Sequence, residues 1–399
     1  MSAIADTFRL GVNYWPSDTA MDWLARYDPA VVRRDFNRIA AAGMDTVRIF
    51  LRWEDLQPSP HTINPAALAA VIDTADAASE SAVELIVTLF TGHMSGVNWI
   101  PAWATGGDDG DNRFRVVSAG AVHAGRQVLR NWYTDEAIID AQALLADRVA
   151  SALSGHPALW AWDLGNENSN CTIPPDPNSA ERWLERMTSV LRTQSPRVPI
   201  TIGTHMEDLE SERLLGPAEA ARWCDFVCMH GYPAYADWST GSTDPHLVPF
   251  LAEITSWLAG DAPVLFSEFG QSTAPLGQPP TTLQVGEADA ASYTGATLDA
   301  LRDSGSIGAL IWCYADYAAH LHNQPPLDLA LHERTFGLWR ADSSPKPAVA
   351  EISARRGRPR RTDTRPRPWL DIAVDEFASD RRHHLTRLYT RYRQSAGAL

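Results

Sequence analysis

"PAVVRRDFNRIAAAGMDTVRIFLRW", residues 29–53, decides the fold. In its first part (29–44), Val32, Phe36, Ile39 and Ala40 recur at helical spacing and share one apolar face. Gly43 stops that helix, because a residue without Cβ takes the left-handed backbone of a helix C-terminus at little cost. Its last part, "TVRIFLRW" (46–53), is a short run rich in β-branched and aromatic residues. A nearly continuous apolar run of this length fits a strand buried on both faces, as strands of parallel sheets are. A helix leading into such a strand is half of a βαβ unit.

The same pairing recurs along the chain. Apolar runs stand at "LGVNYW" (10–15), "TVRIFLRW" (46–53), "LIVTLF" (85–90), "LWAWDLG" (159–165), "ITIGTH" (200–205), "FVCMHGY" (226–232), "VLFSEFG" (264–270) and "GALIWCY" (308–314), and most intervals can hold a crossover helix. Eight such units predict an α/β fold, a closed (β/α)8 TIM barrel, over residues 1–350. The third interval is uneven: roughly 75 residues separate strands three and four, about twice the usual repeat of a ~250-residue barrel. The excess, residues 91–136, is rich in Gly, Asp and Trp and follows a strand. It is therefore a long loop on the C-terminal face, a wall or lid of the site that such barrels carry there.

Polar residues in mid-strand would be buried at a cost, whereas those at C-terminal strand ends face that site. Strand four ends in Asn166-Glu167, strand six in His230-Gly231-Tyr232 and strand seven in Glu268-Phe269-Gly270, and strand eight carries Trp312 and Tyr314. Two carboxylates thus reach one mouth from different strands. Cleavage of a glycosidic bond needs such a pair, one protonated to donate to the leaving oxygen and one ionised to attack or to activate water. A lone barrel-end glutamate is more often half of a structural ion pair; the pair with His, Tyr, Asn and Trp beside it reverses that reading.

Arg48 in "VRIF", "GNEN" at strand four, "HGYP" at strand six, "SEFG" at strand seven and "IWCY" at strand eight resemble, in order and position, the glycoside hydrolases of clan A, family 5 (cellulases, β-mannanases and β-mannosidases), over roughly residues 8–345. The resemblance implies a glycosidase with Glu167 as general acid/base, Glu268 as nucleophile and retention of configuration. It also implies that Asn166 holds the sugar 2-hydroxyl, that Arg48 and Tyr232 orient Glu268 with His230 in the same network, and that Trp312 floors the subsite of the cleaved sugar. His93, after strand three, matches a family position. On physical grounds an Arg and a Tyr hydroxyl favour the charged form of Glu268, and Glu167 needs a raised pKa to act as an acid. Of the 15 tryptophans, most are expected in the core, and Trp15, Trp53, Trp99, Trp103 and Trp132, in or beside mouth segments, join Trp312 as candidates for stacking on sugar.

Within the family, "YWP" near the start and "TGHMSGVNWIPAW" after strand three look most like the β-mannosidase branch. An exo-acting β-mannosidase on a small oligosaccharide or β-glycoside is the expectation; a β-glucosidase or an endo-β-mannanase or glucanase of the same family is the alternative, and a non-catalytic carbohydrate-binding barrel would require loss of one Glu.

Composition narrows the partners. The opening residues lack a basic segment followed by an apolar one, and no stretch reaches the length of a membrane span, so the expected place is the cytoplasm and no membrane partner is expected. Residues 351–399 carry 12 basic against 6 acidic side chains, leaving 22 against 43 in the body, an acidic surface that repels nucleic acid. "ARRGRPRRTDTRPRPW" (354–369) therefore reads as a Pro/Arg linker lying across the acidic body. It leads to a helix over about 376–393 with an apolar stripe of Phe377, Leu385, Leu388 and Tyr389, so that 351–399 forms a linker and helix packed on the barrel. The four cysteines include no C-x-x-C pair, and His93, His205 and His230 lie on different strands without an evident carboxylate set, so neither a metal nor another cofactor is expected. Oligomeric state is not legible.

Overall fold

The computed structural model describes residues 7–106, 113–118, 120–122, 129–362 and 366–396. Eight strands close a barrel in which every neighbouring pair is parallel: Arg9–Asn13 (β1), Thr46–Arg52 (β2), Glu84–Thr91 (β3), Leu159–Asn166 (β4), Ile200–His205 (β5), Val227–His230 (β6), Val264–Phe269 (β7) and Gly308–Ile311 (β8). Each falls within or beside one of the eight apolar runs. The (β/α)8 architecture is thus the observed one.

Helices on the outside carry the crossovers, and their starts are written locally. The helices Pro29–Ala41, Pro65–Glu80 and Pro177–Gln194 begin with proline, whose missing N–H is no loss there, after Asp28, Asn64 and Asp176, whose side chains accept first-turn amide hydrogens; Asp135 caps the helix Glu136–Ala152 likewise. Val32, Phe36 and Ile39 of the first helix are buried, and Gly43 beyond its end has φ +89°.

Register sets the level at which side chains meet. Arg48 pairs with Asn13 and Ile86, Thr88 with Asp163, and His230 with both His205 and Glu268. Of five irregularities in the barrel, four fall toward C-terminal strand ends, between Phe50 and Arg52, Asp163 and Asn166, Met229 and His230, and Phe266 and Phe269, where a bulge re-aims side chains into the mouth; the fifth, between Leu85 and Ile86, lies near the start of β3.

The long β3–β4 connection builds a small sheet from the strands His93–Met94, Val97–Trp99, Arg115–Ser118 and Ala121–Val122. It is fastened across the mouth to the segment after β8: Arg115 holds Asp328 with two bonds of 2.7 Å, and Ser95 Oγ donates to Glu333 Oε2 at 2.9 Å. The C-terminal segment forms two helices, Val374–Ser379 and Arg381–Ser395, where one had been expected, because Asp380 leaves the helical backbone and accepts from the His383 amide as a new N-cap. Phe377 packs on Trp257, and Trp369 and Tyr389 pack on Phe250 of the helix Leu247–Leu258. The preceding arginines meet barrel acids, Arg355 and Arg358 at Asp299 and Arg367 at Asp261. No helix among the described residues is long and apolar enough to cross a membrane.

Candidate active site

The C-terminal mouth of the barrel opens on a cavity of about 340 Å³, the size of a small-ligand site. Its base is a charge network spanning three strands. Arg48, fully buried on β2, donates through Nη2 to Asp163 (2.6 Å) and Asn166 Oδ1 (2.9 Å) on β4 and through Nη1 to Glu268 Oε1 (2.5 Å) on β7. Gly203 on β5 makes space for it: a Cβ there would stand 2.9 Å from Arg48 Nη2 and 2.8 Å from the Gly165 carbonyl. The Tyr232 hydroxyl donates to the other oxygen of Glu268 at 3.0 Å. Arg48 is fully buried and does not line the cavity. It holds Glu268 from behind.

Glu167 stands one residue beyond β4 with φ +49°, a left-handed backbone that costs a residue with Cβ and that is found at functional turns. Its side chain accepts from His230 Nδ1 (3.0 Å) and from Asn170 Nδ2 (3.1 Å). His93 Nε2 and His205 Nδ1 approach its second oxygen at 3.9 and 4.0 Å. The three histidines, each from a different part of the mouth, thus converge on one carboxylate. His93 is fixed by its Nδ1 contact with Asn98 Oδ1 (2.8 Å), and His205 through Ser169, which donates to Asp208. One carboxylate oxygen each of Glu167 and Glu268 and one ring nitrogen of His230 lie within 4.8 Å of one another, so the two carboxylates face each other in the mouth.

Burial is the largest influence on both carboxyls and raises both. For Glu167 the charges of His205, His230 and His93 outweigh it and hold the group below its ordinary value. Glu268 stays above its ordinary value, since the charge of Glu167 adds to burial and His230, Arg48 and Tyr232 only partly offset it. These directions run opposite to those expected of the acid and the nucleophile. The difference lies in the imidazoles, which sequence spacing did not bring to Glu167. His205 is itself held above its ordinary value: burial lowers it, but Asp208, Glu167 and Glu207 outweigh that. His205, 4.0 Å from Glu167, thus favours its charged form, whereas burial holds His93 below its ordinary value.

Of the expected aromatic contacts, Trp312 lines the cavity. Trp15, Trp53 and Trp132 do not; each is at most 1% exposed. Trp15 stacks on Phe50 and supports Trp312 edge-on, while Trp53 packs against Trp103 and Trp132, a layer beneath the mouth where sugar cannot reach. His93, Asn166, His230 and Tyr232 do line the cavity. Sequence reasoning missed Asn170, Tyr235 and Glu333, which line it too, and Asp163, which anchors Arg48. It had weighed His205 only as a metal ligand.

A (β/α)8 barrel that delivers two facing glutamates from β4 and β7, over a tryptophan on the segment following β8, is the frame of a glycosidase. The chain belongs to glycosyl hydrolase family 5: the family Cellulase (glycosyl hydrolase family 5) matches residues 11–318. Among solved structures it is similar to the GH5_18 enzyme from Streptomyces cattleya in complex with GlcNAc, with 25% identity, 98% of this chain and 92% of that one covered, and a TM-score of 0.80. It is also similar to the exo-beta-1,4-mannosidase Op5Man5 from Opitutaceae bacterium strain TAV5, with 25% identity, 87% of this chain and 58% of that one covered, and a TM-score of 0.71. The Streptomyces cattleya protein in complex with Manb1-4GlcNAc shares the fold at 24% identity, with 98% of this chain and 92% of that one covered and a TM-score of 0.80. No curated protein matches the chain.

Proposed function

We propose that this family 5 glycosidase is a retaining, exo-acting β-mannosidase that removes a terminal β-linked mannose from a short oligosaccharide. Retention is supported by the approach of one oxygen of Glu167 to one of Glu268 within 4.8 Å, which favours the close pair of a retaining enzyme over an inverting pair whose carboxyl groups stand ~6.5–9.5 Å apart to admit water between them. Glu268 attacks the anomeric carbon while Glu167 gives its proton to the glycosidic oxygen, so the C–O bond breaks as the Glu268 ester forms. Glu167 then takes a proton from water, which attacks the same carbon and releases Glu268. Two inversions leave the configuration unchanged. Arg48 and Tyr232 neutralise and orient Glu268 between steps. Asn166, with one amide hydrogen on the His93 carbonyl and its oxygen on Arg48, has a second hydrogen for the sugar 2-hydroxyl. Trp312 offers a face to the ring.

Exo action is supported by the strap of Ser95 to Glu333 and Arg115 to Asp328, which walls the mouth on the side of Trp312. The aglycone then lies on the opposite side, beside Glu167, where His205, Met206 and Glu207 line the cavity. Mannose is supported by the similar exo-beta-1,4-mannosidase and by Manb1-4GlcNAc in the complex of the similar Streptomyces cattleya protein.

The test is a panel of 4-nitrophenyl β-glycosides (mannoside, glucoside, galactoside, xyloside) with Manβ1-4GlcNAc and mannooligosaccharides, run with and without EDTA. The mannoside should be cleaved fastest, and mannose should be the first product from every oligosaccharide. Preference for the glucoside would make the enzyme a β-glucosidase. Cleavage restricted to internal bonds would make it an endo-mannanase or glucanase, and loss of activity in EDTA would replace the two-carboxylate mechanism by a metal-dependent one.

A further inference from the structure

Glu333 lies in the turn Leu331–Thr335 after β8, 6% exposed, yet it lines the catalytic cavity. Its contacts are unusual for a buried carboxylate. Oε2 accepts from Ser95 Oγ at 2.9 Å and from Trp312 Nε1 at 3.3 Å, and Oε1 accepts from the Tyr235 hydroxyl at 3.1 Å. Among the described residues its sole ion-pair neighbour is His332, with Nε2 3.6 Å from Oε1. Neither an arginine nor a lysine joins it there, in contrast to Glu268 with Arg48. Three neutral donors leave part of the capacity of the two oxygens unused, and a buried carboxylate with acceptor sites to spare is costly unless further donors complete it.

The placement tells which donors. Ser95 sits at the tip of a two-residue hairpin (Ser95 φ +52°, Gly96 φ +75°, between paired Met94 and Val97), a tight turn that fixes it rigidly. Trp312, the proposed floor of the cleaved sugar, has its Nε1 edge on Glu333. A pyranose lying on that ring with its anomeric carbon between Glu167 and Glu268 directs C3 and C4, the atoms remote from the scissile bond, toward the Trp312 edge and the strap. Sugar hydroxyls there are the donors Glu333 lacks.

We propose that Glu333 is the specificity-determining ligand for the free 3- and 4-hydroxyls of the non-reducing-end sugar. The inference rests on the chain-end reading above and deepens it. Mannose and glucose carry these two hydroxyls in the same equatorial orientation, so the contact does not choose between them. It selects an unsubstituted chain end, because a β-1,4-linked neighbour would replace the 4-hydroxyl hydrogen by a carbon and meet Ser95.

The test measures kcat/KM of the full chain, of E333Q and of S95A on the 4-nitrophenyl β-glycoside that the panel shows to be cleaved best, and on its 3-deoxy, 4-deoxy and 6-deoxy analogues. Wild type should lose about 10- to 100-fold on the 3-deoxy or the 4-deoxy analogue, the loss expected when a charged acceptor is left without its hydroxyl. E333Q should lose a similar factor on the parent and little more on that analogue, while S95A, which keeps the carboxylate, should retain the penalty. Equal further losses for wild type and E333Q would make Glu333 a brace for Trp312 and overturn the proposal. So would a wild type that loses less than threefold on both analogues, a result that needs no variant to fold. A glucoside-preferring enzyme would correct the sugar and leave Glu333 to be judged on the glucoside series.

Discussion

Arg48 Nη1 lies 2.5 Å from Glu268 Oε1 while Nη2 of the same guanidinium lies 2.6 Å from Asp163, both pairs shielded from water. One fixed cation thus serves the carboxylate proposed to react and a structural one. Replacing Arg48 by Met leaves two buried anions uncompensated, for which about 3–5 kcal/mol of stability is the expected loss. Chemical denaturation should show it, and Asp163→Asn combined with the Arg48 change should recover part of it. A folded variant of unchanged stability would contradict the network.

The assignment of the two glutamates is open to direct trapping. A 2-deoxy-2-fluoro glycoside with an activated leaving group should label Glu268, read by mass spectrometry of peptides, because the fluorine slows both steps and the leaving group spares the first. Glu167→Ala should lose most on substrates with poor leaving groups, and azide should restore turnover of activated ones. Label on another residue, or a first product of inverted configuration by NMR, would exchange or cancel the roles.

If Glu167 is the acid, as proposed, His205 should set its pH range. As the strongest of the charges that hold Glu167 below its ordinary value, it opposes protonation of Glu167. His205→Gln removes that charge, so the pKa of Glu167 rises and the protonated acid persists to higher pH. The basic limb of kcat/KM should move upward in pH. A limb that stays in place, or moves down, would show that His205 does not act on Glu167.

The tryptophans separate stability from binding. Trp53→Ala should cost about 3–5 kcal/mol with KM little changed wherever the protein remains folded, because Trp53 is wholly in the core. Trp312→Ala should instead depress kcat/KM. The converse pattern would return Trp53 to the substrate.

Acid should loosen the C-terminal helix. The Tyr389 hydroxyl donates to Asp244 at 2.5 Å; burial raises the Asp244 carboxyl, but this bond and those from Thr240 and the His246 amide hold it below its ordinary 3.8. A depressed folded pKa gives stability that is present in full above pH 3.8 and is lost as pH falls through the folded value. Tyr389→Phe should cost about 1.5–3 kcal/mol near neutrality and flatten the acid limb of thermal stability. Deleting residues 366–399 should cost more, since Trp369, Phe377, Leu385, Leu388 and Tyr389 bury there at about 1.5–3 kcal/mol each. Unchanged melting of the deletion would free the segment from a structural role.

The strands were readable because burial on both faces leaves continuous apolar runs, and the two glutamates because a charge at the end of such a run has few other uses. Asp163 carried the same signal, a lone charge inside "LWAWDLGNEN", and its meaning depended on Arg48, 115 residues away. The tryptophans were not separable, since a mouth residue and a core residue one layer below share the same apolar neighbours in sequence. The sheet within 91–136 is built from strands of two to four residues, too short for a periodicity, and so hid both Ser95 and its contact with Glu333. The break at Asp380 was written in plain cap chemistry, "SDRRH", within a stripe that read as one helix.

The strap from Ser95 to Glu333 and from Arg115 to Asp328 also orders events in time. Under the proposed exo action, with the strap closing the far end of the cleft, leaving group, incoming water and freed sugar all pass the same doorway. The shortened chain must depart before water can reach the ester, and the monosaccharide leaves last. Such an enzyme cannot slide along a polymer from cut to cut. It lets go of its chain after every turnover, so its rate on an oligosaccharide follows the concentration of chain ends and not the mass of polymer.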